Sequence, residues 1–158
     1  METWTLSELA ALAEIIGLIA IIPSLIFVGV QLYRGNRETR AATIQSAINS
    51  ELDMIATIAQ HAGTWDKVMT GAPLESGEEH RRGILLFNLV MTESENRFHQ
   101  VRSGYLDNSM WAGSLTSIRP VVSRPIFSEW RDTPGALNHS ADFLAFVDSL
   151  AEEVSEEG

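Results

Sequence analysis

Chemistry, if this chain performs any, has to come from a polar run in its middle. Glu93, Glu95, Asn96, Arg97, His99, Gln100 and Arg102 fall within ten residues of a segment that reads as helix. Glu95 and His99, four residues apart, share a helix face, the spacing at which a carboxylate and an imidazole can grip one metal ion. A di-metal bundle, however, needs Glu-x-x-His pairs on two helices plus further glutamates, and this chain contains no Glu-x-x-His. The reading preferred for Glu95, Asn96, His99 and Gln100 is a hydrogen-bonded network tying this helix to a neighbour or to a second subunit, because buried amides must find partners.

The remaining inventory narrows the classes. There is no cysteine, which fits a reducing compartment and excludes thiol catalysis and thiolate metal sites. His61, His80, His99 and His139 are scattered, and no HExxH, GxSxG, P-loop or GxGxxG occurs. Trp65, Trp111 and Trp130 suit core or interface anchors better than a ligand box. No catalytic residue, metal site or cofactor is predicted, and the chain is expected not to be an enzyme.

The N-terminal element dominates everything else. From Leu9 to Leu32 the chain is almost wholly apolar, and Ile15–Val30 carries no charge. That is long enough for a helix to cross the hydrocarbon core, which takes about 20 residues. Arg34, Arg37 and Arg40 follow directly, whereas the first 33 residues hold Glu2, Glu8 and Glu14 and no Lys or Arg. This asymmetry predicts a membrane helix over 6–33, a short N-terminus (1–5) outside and the C-terminal part in the cytoplasm. It also disfavours a cleaved signal peptide, whose first region is basic. Thr5 with Glu8 reads as a capping box, Trp4 with Leu9 as a hydrophobic staple, and Trp4 and Tyr33 as interfacial aromatics.

Within that helix Ala13, Gly17, Ala20 and Ser24 are spaced by four, three and four, and Ala10 extends the series backwards by three. The five lie on one heptad-like face, where small side chains let helix backbones approach closely in lipid. Glu14 borders this face. It snorkels to the nearby interface, or hydrogen-bonds between helices, or forms a site that binds ions or protons. Pro23 removes one backbone hydrogen bond, and Ser24 is placed to satisfy a freed carbonyl.

Beyond Tyr33 the pattern remains helical. Ala41, Ile44, Ile48, Leu52, Ile55, Ala59 and Ala62 recur at three- and four-residue steps, predicting an amphipathic helix that ends near Gly63. Thr70–Gly77 reads as a connection. Ser76 and Glu79 then cap a helix running to about Ser103, with Gly104 as its C-cap. Asp107 caps a further helix ending before Pro120 or Pro125, Phe127 and Trp130 fall in a short helical turn, and Ser140 caps a last helix carrying Phe143 to Leu150. The fold class is therefore all-α: one transmembrane helix continuing into a cytoplasmic helical bundle (34–151) and a frayed acidic tail (152–158). From Ala41 onward there are 17 acidic and 8 basic side chains, net −9. Such a surface repels nucleic acid and anionic lipid.

The run EIIGLIAIIPSLIFVGVQLYRGNRETRAATIQSAINS (Glu14 to Ser50) resembles a widespread family of small uncharacterised bacterial single-pass membrane proteins. In these, a Gln-x-x-Arg-x-Asn-x-x-Thr-Arg-Ala-type segment joins the span to a helical domain. ENRFHQVRSGYLDNSMW (Glu95 to Trp111) resembles the most recognisable part of that domain. Pro23 and Gly35 depart from the pattern. The resemblance implies a bacterial inner-membrane location and no particular activity. The sequence thus points first to a scaffold that self-associates through the small-residue face. Open beside it are an ion-conducting oligomer ringed by Glu14, with Gln31 or Arg34 at its inner mouth, and an accessory subunit of a larger membrane complex. The expected partners are membrane lipid and further copies of the chain.

Overall fold

A computed structural model describes residues 5–157, apart from the side chains of Glu8, Leu9, Leu12, Ala13, Ile16, Leu18, Asn108 and Glu157. The staple between Trp4 and Leu9, the Glu8 half of the first capping box and the Ala13 side chain lie outside the described residues. Six α-helices and a short 3₁₀ turn account for the described secondary structure, without a strand among the described residues. They are α1 (Leu6–Gln60), α2 (Ala62–Thr70), α3 (Gly77–Arg102), α4 (Asn108–Val122), α5 (Ile126–Arg131) and α6 (Ala141–Glu157), with the 3₁₀ turn at Ala136–Asn138. The chain divides into two units, residues 1–42 and 43–158.

The first unit is α1 as far as Ala42. It is helical through Pro23 and through Gly35–Asn36. The Thr39 hydroxyl donates to the Gly35 carbonyl at 2.9 Å, adding a side-chain bond where glycine weakens the helix. Pro23 has no N–H, so the carbonyl it frees is that of Ile19, four residues earlier. The Ser24 hydroxyl donates instead to Ala20, at 2.8 Å, so it does not repair the gap as the sequence suggested. By length and composition α1 is apolar enough to cross a membrane. Its large side chains are open: Ile19, Leu25, Phe27 and Leu32 are each more than 60% exposed.

The second unit is a helical bundle built around α3, which packs against α2, α4 and α5, while α4 packs against α6. Phe87, Met91, Trp130, Phe143 and Val147 are fully buried. Phe98 stacks on Phe146 at 5.2 Å, meets Phe143 edge to face and lies tilted against Trp111 at 5.9 Å. Each such ring contributes about 1.5–3 kcal/mol on full burial. Trp65 and Trp111 pack against this core and Trp130 lies inside it.

Local chemistry explains the boundaries. α1 ends at Gln60 rather than near Gly63, because His61 leaves helical geometry (φ −122°, ψ 31°) and α2 starts afresh behind it. α2 closes on Gly71 at φ +72°, a left-handed conformation that suits glycine. Ser76 accepts from the Glu79 amide at 3.1 Å as a cap should. The Glu79 carboxylate, however, takes the amide of Glu75 (2.8 Å) and the Lys67 ammonium rather than the Ser76 amide. The cap of α3 is Ser103, and Gly104 follows it at φ +75°, letting Tyr105 bond back to the Gln100 carbonyl at 2.9 Å.

Of the two stops read for α4, before Pro120 or before Pro125, the helix takes the second: it carries Pro120 inside its last turn and stops at Val122, since a proline there costs one hydrogen bond and Val121 and Val122 are buried beyond it. One further boundary differs from the sequence reading. The acidic tail is not frayed as far as it is described: α6 runs to Glu157, held by buried Leu150 and by the Glu153–Arg119 ion pair at 3.0 Å.

Candidate functional site

Two polar clusters, one on each side of α3, take up Glu93, Glu95, Arg97 and His99 of the polar run. Ser140, the residue before α6, is the hub of the first. Its backbone N–H donates to Glu95 Oε1 at 2.6 Å, while its hydroxyl accepts from the Phe143 amide at 3.4 Å and meets His99 Nε2 at 3.0 Å. The other Glu95 oxygen accepts from His139 Nδ1 at 2.6 Å. His139 is buried, its Nε2 faces Asn88 Oδ1 at 3.4 Å, and Asn88 also accepts from the Trp130 indole at 2.9 Å. Trp130 in turn lies 5.3 Å from the His139 ring in an edge-to-face arrangement.

Burial pushes the Glu95 carboxyl up. The Ser140 amide and hydroxyl and the His139 imidazole pull it down and prevail, so it sits below the ordinary glutamate value. A neutral acid could not accept all of these bonds, so the site is built for the carboxylate.

Serine, histidine and glutamate in contact invite comparison with a nucleophilic triad, and the geometry decides against it. A triad places the hydroxyl on one ring nitrogen and the acid on the other. Here both Ser140 Oγ (3.0 Å) and Glu95 Oε1 (3.4 Å) approach the same atom, His99 Nε2. What the arrangement does is fasten the start of α6 to the middle of α3. Of the four residues predicted to form a network, Glu95 and His99 meet. Asn96 is exposed, and Gln100 is turned inward with its side-chain oxygen buried and without a hydrogen-bond partner.

The second cluster joins the end of α1, α3 and α4. The Ser50 hydroxyl donates to Glu93 Oε2 at 2.5 Å. Arg97 pairs with Glu51 at 2.8 Å, approaches Glu93 at 3.5 Å and donates to the Ser114 hydroxyl at 3.3 Å. Glu93 is buried. Cavities of about 30 and 70 Å³ flank Arg97, room for ordered water rather than an organic substrate. A larger open groove of about 440 Å³ lies between Thr57, His61, Leu85 and Leu89. Among the described residues no group of three His, Cys, Asp or Glu is placed to hold a metal ion.

The residues predicted for the first unit are all on α1. Ala10, Ala20, Ser24 and Glu14 are exposed, and an added Cβ on Gly17 would meet nothing within 4 Å. Arg34, Arg37 and Arg40 are exposed. Sequence reasoning missed His139 and Asn88. Both contact their partners across more than 40 residues, and only the adjacency of His139 to the capping Ser140 marked it out.

Comparison with family models, curated proteins and solved structures returned no match. The resemblance carried by Glu14–Ser50 and Glu95–Trp111 therefore rests on those residues alone.

Proposed function

We propose that this is a non-enzymatic, single-pass protein of the bacterial inner membrane, with its N-terminus outside and its helical unit in the cytoplasm. It assembles with further copies of itself through Ala10, Ala13, Gly17, Ala20 and Ser24, and the helical unit extends the assembly as a scaffold. The observation that carries this reading is the open apolar surface of α1, where Ile19, Leu25, Phe27 and Leu32 are each more than 60% exposed. Contiguous apolar surface of this extent calls for lipid or a partner to cover it. The inside-positive arginines support the orientation, and the family resemblance supports the bacterial membrane. The clusters around Glu95 and Arg97 support a structural role for the helical unit, because their charged groups are spent on joining helices.

The test is Gly17→Leu. Within one chain the new side chain has open space, so a change in assembly reports contact between chains. The expected result in mild detergent is dispersal to the 17.4 kDa single chain. An assembly unchanged by the substitution counts against the small-residue face.

A further inference from the structure

The groove between the end of α1 and the first half of α3 has the form of a ligand site, and it lies wholly within the second unit. Its volume of about 440 Å³ falls in the range of about 300–1,000 Å³ typical of small-molecule pockets. Leu86, which is buried, Leu89, half-buried, and Leu85, 67% exposed, supply its apolar wall. Arg81, Arg82 and Glu78 stand at one end, and His61, at the break between α1 and α2, completes that end.

Three observations say what chemistry fits it. The first is charge. The chain carries a net −10, yet this wall holds two arginines against a single carboxylate. Arg82 donates one bond to Glu78, at 2.7 Å, which leaves most of its N–H donors over. Arg81 and the His61 ring make no hydrogen bond or ion pair among the described residues. Guanidinium forks match a carboxylate in shape and charge. The second is extent. Leu85 is the one strongly exposed large apolar side chain on the groove, because Ile48, Leu52 and Ile55 lie on the opposite side of α1 from Thr57. A stable protein interface needs about 1,000 Å² of buried surface. One leucine supplies far less, but it suffices for the tail of one amphiphile. The third is direction. Ser50 meets Glu93 while His61 lies beside the start of α3, so the two helices run antiparallel. Asp53 precedes Thr57 by one turn on the same face and so stands at the Leu89 end. An anionic head is drawn to the arginines and turned away from Asp53, which lays its tail over Leu85 and Leu89.

We propose that this groove binds a single-chain carboxylic acid, with the carboxylate on Arg81 and Arg82 and the hydrocarbon chain along Leu85, Leu86 and Leu89. From Arg81 to Leu89 the helix rises about 12 Å, the reach of a decanoate chain. The site does not depend on how α1 meets a membrane or further copies of the chain.

The probe is decanoic acid carrying a diazirine at its methyl end. It is irradiated with the full-length chain in nanodiscs of zwitterionic lipid, and the labelled peptides are read by mass spectrometry. Label is expected on Leu89 and on residues 53–57, displaced by decanoate and several-fold less well by decanol. Octanoate should compete up to about fifteenfold less well than decanoate, since each buried methylene is worth about fourfold. Arg81→Gln removes an exposed side chain and should cut the labelling several-fold. Arg102→Gln, at an exposed arginine paired with Asp142 outside the groove, should leave it unchanged. Label confined to residues 15–32 means that the probe has only dissolved in the bilayer, and overturns the proposal. Equal competition by decanol, or labelling unchanged by Arg81→Gln, reduces the groove to an apolar surface and overturns it too. A groove that takes no label refuses the ligand or is covered by another chain, and either result overturns the proposal.

Discussion

Glu95→Gln isolates the charge that binds α3 to the start of α6. In the native chain the Glu95 carboxylate accepts two bonds of 2.6 Å, from the Ser140 amide and from His139. Hydrogen bonds to a charged group are worth about 1.5–3 kcal/mol net and neutral ones about 0.5–1.5 kcal/mol, so replacing two of the first kind by the second costs about 2 kcal/mol. The unit spans residues 43–158. For a domain of that size, 1 kcal/mol moves the melting midpoint by about 4 °C, which gives a drop of about 8 °C. Thermal unfolding followed by tryptophan emission reads this directly, since Trp65, Trp111 and Trp130 all lie in the unit.

The pH dependence supplies the sign. The folded Glu95 titrates below the ordinary value, despite its burial, because Ser140 and His139 hold the charged form. Its stabilisation is therefore complete above the unfolded glutamate value of about 4.3 and is lost as pH falls through the lower folded value. The gap between the native chain and the variant is widest at neutral pH and closes as pH falls from the unfolded value through the lower folded one. A midpoint unchanged by Glu95→Gln at neutral pH refutes the reasoning, as does a gap that keeps its size as pH falls.

The second cluster predicts a contrast between two arginines. Arg97→Ala removes the cation beside the buried Glu93, leaving it the Ser50 hydroxyl alone, and should cost about 3 kcal/mol, whereas Arg102→Ala breaks an exposed pair with Asp142 and should cost about 0–1 kcal/mol. Urea midpoints of the two variants check this, and similar losses would contradict it. Gly71→Ala forces a side chain into the left-handed conformation at φ +72° and should cost about 1–2 kcal/mol, also by urea unfolding. An unchanged midpoint would show that the turn relaxes.

Much of the architecture is legible in the residues because it is set locally. The apolar run before Arg34, the steps of three and four from Ala41 to Ala62, and the cap at Ser76 each act within a few residues. α2 was not legible: its nine residues merge, in pattern, with the end of α1, and the break rests on the backbone of His61 alone. Pro120 and Pro125 both read as stops for α4, and the burial of Val121 and Val122, which outweighs one lost hydrogen bond, decides for the second. The site divides along the same line. Glu95 and His99, four residues apart, were readable as neighbours. The partners that define the cluster, His139 and Asn88, come together only when α6 folds back onto α3, and no spacing encodes that. Asn96 and Gln100 share a face by count, but Asn96 is exposed while the Gln100 oxygen is buried.

Self-assembly is the central claim, and the mass of the native particle tests it most directly. Native mass spectrometry of the full-length chain, released gently from detergent or nanodiscs, should give one multiple of 17.4 kDa and no other polypeptide. A particle of one chain contradicts the account, and mass belonging to other polypeptides would make this chain a subunit of their complex instead.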